Sequence, residues 1–246
     1  MELQDRISLW LKKYLKDNDL KSLVIGISGG IDSALTSTLC AMTGCKTISV
    51  IMPILQNPDH TKRGEAHCDW LKKKYNNVQS VNIDLTHAYN ETLKSIPEKF
   101  HNNLSCANMR ARLRMSTLYM ISGAEKGVVV GTGNKVEDFG VGFFTKYGDG
   151  GVDVSPIADL MKSEVYALSK KLRIIDSIIK APPTDGLWDD NRTDEQQLGV
   201  SYDDLEWAMN CKREPSNTEE ERILNIYKKH RKQNMHKMQD IPVFKK

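Results

Sequence analysis

Short apolar runs alternate along the chain with longer segments in which apolar residues recur at every third or fourth position. The short runs predict β-strands and the periodic segments predict α-helices, an alternation that is typical of βαβ units. Five strands are predicted, at residues 23–27, 47–52, 78–83, 128–131 and 152–155. Strands joined by helical crossovers pair in parallel, so we expect a parallel sheet covered by helices.

The predicted helices lie before, between and after these strands. One amphipathic helix precedes residue 23, and others cover residues 33–42, 61–74, 87–95, 103–124 and 162–172. Two helices end the chain, and each begins with a capping-box pair, Ser201 with Asp204 and Thr218 with Glu221. The expected fold class is therefore α/β, with a doubly wound, mostly parallel, five-stranded Rossmann-like sheet and flanking helices.

Two long segments lack this periodicity. Seven glycines fall within residues 131–151, a density that predicts a mobile binding loop. Residues 184–200 are mostly polar, and they are predicted to form a flexible lid ahead of a helical C-terminal part, residues 201–246. No internal repeat or low-complexity segment is present, so residues 1–246 are predicted to form a single domain.

Composition excludes several classes of protein. The 35 basic and 32 acidic residues leave a net charge of +3, which is too balanced for a dedicated binder of nucleic acid or of a membrane surface. No run of about 18 apolar residues is present, and no hydrophobic signal core begins the sequence. We therefore expect a cytoplasmic protein with no nucleic-acid or membrane partner. His60, His67 and Cys68 are expected to be surface residues of a Lys-rich helix.

The most informative motif lies between the first predicted strand and its helix. It reads Gly26, Ile27, Ser28, Gly29, Gly30, Ile31, Asp32 and Ser33. Paired glycines at the end of a parallel strand allow a tight turn whose N–H groups, with the positive end of the next helix, bind an anion. The serines add hydroxyl donors, and Asp32 can hold a magnesium ion that neutralises phosphate. An ordinary βα turn is the alternative interpretation. The motif matches neither GxxxxGK[ST] nor GxGxxG.

Residues 28–33 resemble the pyrophosphate loop of the ATP pyrophosphatases, which cleave ATP to AMP and pyrophosphate. That group includes GMP synthetase, asparagine synthetase, argininosuccinate synthetase, tRNA-thiolating enzymes and NAD synthetase. Further segments resemble NAD synthetase in particular, and they are residues 108–115, 131–137, 143–162, 183–203 and 236–242. The resemblance covers nearly the whole chain, which is similar to the ammonia-dependent NAD synthetase family.

This resemblance implies an activity and its substrates. Enzymes of the family use ATP to adenylate the nicotinate carboxylate of deamido-NAD, and ammonia then displaces AMP to give NAD. The resemblance also implies Mg²⁺ as a cofactor and a homodimer whose dinucleotide site is shared between subunits. Since the sequence resembles no glutaminase domain, free ammonia is the expected nitrogen donor.

The same resemblance implies the site residues. For ATP they are Gly26, Ile27, Ser28, Gly29, Gly30, Ile31, Asp32, Ser33, Thr132, Lys162 and Thr184. For deamido-NAD they are Arg112, Lys146, Asp153, His236 and Lys237. The implied metal ligands are Asp32 and Glu137, two carboxylates that neighbouring strand ends can bring to one ion. Lys162 and Asp149 are the candidate catalytic residues.

The positions of Lys162, Arg112 and Asp149 in the sequence also bear on the roles that the resemblance implies. Lys162 lies near a predicted helix start, where the helix dipole repels cations, so a bound phosphate would favour its position. Arg112 falls about 160° around its helix from Arg114, on the side opposite to Arg110 and Arg114, and can therefore face a different site. Asp149 can bind ammonium, although an Asp-Gly turn accounts for it equally well.

Two other functions stay open. A tRNA-modifying ATP pyrophosphatase would need a basic RNA-binding surface and usually thiol chemistry, whereas the net charge is only +3 and the sequence has no C-x-x-C pair. A non-catalytic adenine-nucleotide sensor would not require Asp32, Glu137 and Lys162 together. Both functions are therefore less favoured than amide formation.

Overall fold

Helices flank a central sheet in the computed structural model, which describes residues 1–184 and 193–246. The strands are β1 (Ser22–Gly26), β2 (Lys46–Ile51), β3 (Val78–Asn82) and β4 (Gly127–Val129). The α-helices of the described residues are α1 (Leu3–Asp17), α2 (Ile31–Met42), α3 (Pro58–Lys74), α4 (Thr86–Lys94), α5 (Asn103–Ala124), α6 (Lys162–Lys171), α7 (Asp176–Ile179), α8 (Asp194–Leu198), α9 (Tyr202–Asn210) and α10 (Thr218–Met238). Within the described ranges, no helix has both the length and the apolar character needed to cross a membrane.

The sheet is parallel and is covered on both faces. Its order is β3-β2-β1-β4, and Ser22 of β1 lies opposite both Lys46 of β2 and Gly127 of β4. Successive side chains of a strand point to opposite faces. Leu23 therefore packs in one cluster with residues of α1, α2 and α3, and Val24 packs in another against α5. The predicted doubly wound, parallel α/β class is confirmed.

The number of strands differs from the prediction. Residues 152–155 form no strand of their own and make a single parallel bridge, between Val130 and Val154. The Oδ2 atom of Asp153 accepts the N–H of Val129 at 2.7 Å. The Asp153 side chain thereby takes up the Val129 N–H group, which would otherwise be available for a backbone hydrogen bond in a longer strand pairing. The sheet consequently has four strands in the described part of the chain, where five were predicted.

Capping residues explain where several helices begin. The predicted capping box is confirmed at α9, where Ser201 Oγ accepts the Asp204 N–H and Asp204 Oδ2 accepts the Ser201 N–H. At α10 the predicted pair is displaced by one residue, because Asn217 accepts the N–H of Glu220 and caps the helix. Helix α3 begins three residues earlier than predicted, since Asn57 caps it and a proline occupies its first position.

Both segments that were predicted to be flexible contain regular structure. The glycine-rich segment includes a π-helix at Lys135–Val141 that ends at Gly142, whose φ is +68°. In the predicted lid, residues 185–192 lie outside the described residues, but α8 covers Asp194–Leu198. Thr193 and the residue three positions after it form a capping box, and Leu198 is 2% exposed. A local cap and a buried apolar anchor therefore order a segment that lacks periodicity.

Candidate active site

The loop after β1 provides main-chain and hydroxyl donors around one point. In this phosphate loop (residues 28–33), Gly29 has a φ of +84°, in the left-handed region that favours glycine. Ser28 and Ser33 have their hydroxyl oxygens 3.0 Å apart, and the N–H of Gly30 donates to the Ser28 hydroxyl at 3.2 Å. Helix α2 begins at Ile31, so its first N–H groups have no acceptor within the helix. These groups and the positive end of the helix dipole suit a phosphate.

Helix α3 lies against the phosphate loop. A Cβ atom on Gly29 would lie 2.4 Å from the carbonyl oxygen of His60, so the loop and the helix are in direct contact. Gly64 is also close, because a Cβ atom there would lie 3.4 Å from the side chain of Ile27. Between these positions, Nε of Arg63 donates to the carbonyl of Gly29 at 3.4 Å. Helix α3 thus forms one wall of a cleft over the phosphate loop.

A buried ion group lies beside the phosphate loop. Lys162 is the first residue of α6, and its Nζ atom lies 2.6 Å from Oδ2 of Asp32 and 2.9 Å from Oε1 of Glu137. The sequence indicated that the positive end of the α6 dipole would repel the Lys162 ammonium. The carboxylates of Asp32 and Glu137 offset this repulsion. Burial by itself lowers the pKa of Lys162, but the charges of Asp32 and Glu137 outweigh burial and raise the pKa. We call these three residues the Lys162 ion group.

Asn134 contacts the Asp32 carboxylate and the Glu137 backbone, and it was not predicted as a site residue. It is fully buried, and its Nδ2 donates to Oδ1 of Asp32 at 3.0 Å. Its Oδ1 accepts the N–H groups of Val136 and Glu137 at 3.0 and 3.1 Å, so Asn134 also caps the π-helix. Asparagine is a favoured N-cap residue, and this preference is the signal that could have revealed it.

Tyr202 connects the ion group to the segment around α8. Its hydroxyl donates to Glu137 and lies 3.3 Å from Oδ2 of Asp194, while the Nζ atom of Lys162 lies 4.8 Å from its ring centroid. Burial and the charge of Glu137 raise the pKa of Tyr202, so the phenol remains a donor. No local pattern marks this role, because Tyr202 and Glu137 are 65 positions apart.

Most of the predicted ATP residues lie around this cleft. Residues 28–32, Lys162 and Thr184 line it, and residues 26–27 lead into it from the end of β1. Thr132 is half-buried in the loop that follows the end of β4, and it is not among the residues that line the cleft. The structure therefore brings together predicted ATP residues from three separate parts of the chain.

Four of the five predicted dinucleotide residues lie together between α5 and α10. Arg112 on α5 donates to the carbonyl of Lys146 at 3.3 Å, and Nζ of Lys146 donates to the carbonyl of His236 at 3.3 Å. The next residue, Lys237, donates to the carbonyl of Phe144 at 2.7 Å. As expected, Arg112 lies on a different side of its helix from Arg114, which instead donates to the Met52 carbonyl.

Two predicted carboxylates take part in backbone structure. Asp153 accepts the hydroxyl of Tyr119 at 2.9 Å in addition to the N–H at the end of β4. Asp149 accepts the N–H of Thr145 at 3.0 Å, and the N–H groups of Gly148 and Gly150 donate to the Thr145 carbonyl. These bonds form the Asp-Gly turn that was the alternative interpretation of Asp149. Its role toward ammonium remains a prediction.

The fold and the cleft define a class of protein. A phosphate loop at the carboxyl end of a parallel strand, with a buried ion group beside it, is typical of α/β proteins that bind nucleotides. Comparison with known families makes the class specific, because the model of the family described as NAD synthase matches residues 3–246. The chain belongs to the NAD synthase family, and it has the ligase class and the ATP binding of that family.

Individual relatives agree with this assignment. An NH₃-dependent NAD⁺ synthetase of Alkaliphilus metalliredigens is 38% identical over 225 residues, which cover 88% of this chain and 89% of the relative. The structure of an NMN synthetase from Francisella tularensis has a TM-score of 0.89 at 29% identity, covering 98% of this chain and 96% of that one. An NH₃-dependent NAD synthetase from Campylobacter jejuni has a TM-score of 0.79 at 25% identity, with 100% of both chains covered. The predicted family and the predicted ligase class are confirmed, and the tRNA-modifying and sensor alternatives are not favoured.

Proposed function

We propose that this chain converts the nicotinate carboxylate of deamido-NAD into the carboxamide of NAD. A carboxylate oxygen attacks the α-phosphorus of ATP, the bond to the β-phosphate oxygen breaks, and pyrophosphate leaves with the electron pair. Ammonia then attacks the acyl carbon, AMP leaves and one proton is released. No nucleophile of the protein is needed. The observation that carries the proposal is that Asp32 and Lys162 line one cleft with residues 28–31 of the phosphate loop.

The protein contributes position and charge to this reaction. The phosphate loop would hold the phosphates that become pyrophosphate, through the first N–H groups of α2 and the hydroxyls of Ser28 and Ser33. Lys162 supplies a fixed positive charge beside that loop, and its raised pKa keeps it protonated as negative charge develops. Asp149 would bind ammonium and accept its proton. Both steps of the reaction would take place within the predicted single domain, residues 1–246.

Mg²⁺ fits the carboxylates of the Lys162 ion group. Asp32 and Glu137 lie side by side, since both contact the Nζ atom of Lys162. Among the described residues, no group of three or more His, Cys, Asp or Glu side chains could hold a metal ion. Mg²⁺ is commonly held by one or two carboxylates, with phosphate oxygens and water as the other ligands. When bound, it would neutralise charge on the phosphates. Asn134 and Tyr202 keep the two carboxylates oriented.

Deamido-NAD would bind where Arg112, Lys146, His236 and Lys237 lie together. A homodimer is supported by the apolar side chains that α5 and the segment before it leave exposed. They are Phe100, Leu104 and Met120, with exposed fractions of 56%, 61% and 81%. Burial against a second subunit would remove these apolar side chains from water. Since Arg112 also lies on α5, the second subunit would come close to the bound dinucleotide. Cytoplasmic location stays a prediction.

Nicotinate mononucleotide is a second candidate substrate. The observation that favours it is the TM-score of 0.89 with a protein described as an NMN synthetase. The mononucleotide carries the same nicotinate carboxylate, so the same two steps would give NMN. The two candidates differ in whether an adenylate half also contacts the protein.

One assay tests the proposal and separates the two candidates. The protein is incubated with ATP, Mg²⁺ and ammonium, together with either deamido-NAD or nicotinate mononucleotide, and AMP, pyrophosphate and the amide are measured. The proposal expects the three products in equal amounts and a higher kcat/KM with deamido-NAD. A higher kcat/KM with the mononucleotide would identify the second candidate as the function. Amidation of neither acid, with thiolation of another substrate, would contradict both.

A further inference from the structure

The cleft contains a cation that has no part in the reaction as proposed above. Arg63 of α3 lines the cleft together with the phosphate loop, and it is half-buried. Its Nε donates to the Gly29 carbonyl at 3.4 Å, which is longer than the usual N–H···O distance of about 2.9–3.0 Å. The ion pairs between described residues do not include Arg63. Its guanidinium charge is thus unmatched within the described part of the chain.

The charges around Arg63 make it important for an entering anion. Two carboxylates line the cleft, those of Asp32 and Asp194, and Glu137 lies beside them in the ion group. The other lining ammonium, Lys162, pairs with Asp32 and Glu137, which offset part of the attraction that it offers to an anion. A polyphosphate carries more negative charge than one Mg²⁺ ion offsets, so a further cation that faces it would favour its entry into this cleft. Arg63 meets this need, since an arginine has five N–H donors and the contact with Gly29 uses one.

Two glycines fix Arg63 at this position. The contact between Gly29 and α3 and the close approach at Gly64 bring the helix against the phosphate loop. Arg63 immediately precedes Gly64, so it lies where the helix and the loop are closest. Lys62, its other neighbour, is instead exposed and pairs with Asp59 at 3.4 Å. Adjacent basic residues of one helix thus have different surroundings.

We infer that Arg63 binds the β- and γ-phosphates of ATP and remains in contact with them as pyrophosphate. This inference rests on the proposed function and adds a substrate-binding residue that no motif marks. When the bond between the α-phosphorus and the bridging oxygen breaks, that oxygen takes the electron pair and pyrophosphate gains negative charge. The planar guanidinium can donate to two phosphate oxygens at once, and its charge stabilises the leaving group.

Binding of pyrophosphate itself tests the inference without turnover. Isothermal titration calorimetry would compare wild type, Arg63→Gln, Arg63→Lys and the matched control Lys62→Gln, each with Mg²⁺ and with either pyrophosphate or AMP. We expect Arg63→Gln to weaken pyrophosphate binding about 10- to 100-fold, as loss of a charge-assisted contact does. Arg63→Lys should retain part of that affinity, because lysine keeps the positive charge but lacks the planar guanidinium that donates to two phosphate oxygens at once. The pyrophosphate affinity of Lys62→Gln should stay within about twofold of wild type. The AMP affinity of every variant should also stay within about twofold of wild type.

Three outcomes would overturn the inference. One is equal pyrophosphate affinity in wild type and Arg63→Gln, with both proteins folded by circular dichroism. Another is a wild type that binds no pyrophosphate. The third is an equal loss of affinity for pyrophosphate and AMP, which a general distortion of the cleft would produce. The calorimetry contains neither deamido-NAD nor ammonia, so it does not depend on NAD formation. A wild type that binds pyrophosphate but forms no NAD in the product assay would contradict the proposed function and leave the inference about Arg63 standing.

Discussion

Replacing Lys162 by methionine removes the charge of the Lys162 ion group while keeping most of the side-chain volume. The lysine side chain is 3% exposed, and those of Asp32 and Glu137 are 19% and 16% exposed. Removing one partner of a buried ion pair costs about 3–5 kcal/mol, because the remaining charge is left without compensation. For a protein of this size, such a loss lowers Tm by about 6–20 °C. We expect this destabilisation for Lys162→Met at pH 8.

The effect should depend on pH in a defined direction. Without the ammonium, burial and mutual repulsion raise the pKa values of Asp32 and Glu137 above their unfolded-state values. The folded variant then binds more protons than the unfolded variant at intermediate pH, so its stability falls as pH rises. The difference between Lys162→Met and wild type should therefore be smaller at pH 5 than at pH 8. Urea unfolding at both pH values would measure it.

Controls isolate the ion group as the cause. Lys171→Met removes a lysine at the other end of α6 whose partner Glu2 is exposed, and it should cost about 1 kcal/mol or less. The double variant Lys162→Met with Glu137→Gln should regain part of the lost stability, because it removes one uncompensated carboxylate. Activity should fall about 10²–10³-fold in Lys162→Met, as loss of one electrostatic stabiliser does. Stability within about 1 kcal/mol of wild type at pH 8 would refute this reasoning.

Three further predictions concern other parts of the fold. His67 is fully buried and burial lowers its pKa from 6.5 to about 4, so the folded protein should lose about 3 kcal/mol as pH falls from 6.5 to 4. Urea midpoints should show this loss, and His67→Gln should lack it; an equal loss in both proteins would assign it elsewhere. Gly29→Ala should weaken ATP binding at least tenfold in calorimetry, because the added Cβ atom would clash with the His60 carbonyl. Gly44 also has a positive φ, of +73°, but has open space around it, so Gly44→Ala should cost only about 1 kcal/mol of stability. Unchanged ATP affinity in Gly29→Ala would contradict the loop geometry. Tyr202→Phe keeps the ring but loses the hydroxyl bond to Glu137, which we propose as a metal ligand, so kcat/KM should fall about tenfold while Tyr75→Phe leaves it unchanged. Equal rates for these two tyrosine variants would remove the role given to the phenol.

Local patterns predicted the framework of the fold because each strand is a short apolar run that a helix follows. The long helix α5 has the predicted bounds, and the phosphate loop lies where the motif placed it, after β1. Asp32 and Lys162 line one cleft as the resemblance implied, although their roles remain predictions. Elements whose signal is local are therefore readable from the sequence alone.

Contacts between distant segments were not readable in the same way. His67 was expected at the surface because lysines surround it. Yet Gly64, His67, Cys68 and Leu71 form one buried stripe with helical spacing, and the histidine lies within it. The Ser37 hydroxyl satisfies its Nε2 atom at 2.9 Å, a partner that lies 30 positions away. Burial of a polar residue depends on such partners, which composition does not reveal.

The central claim is that the cleft joins the α-phosphate of ATP to a nicotinate carboxylate, and an oxygen isotope tests it most directly. Deamido-NAD labelled with ¹⁸O in that carboxylate is converted with ATP, Mg²⁺ and ammonium, and the products are examined by mass spectrometry. Adenylation transfers one carboxylate oxygen to phosphorus, so each AMP should carry one ¹⁸O and pyrophosphate should carry none. Label in pyrophosphate, or unlabelled AMP formed together with NAD, would contradict the account.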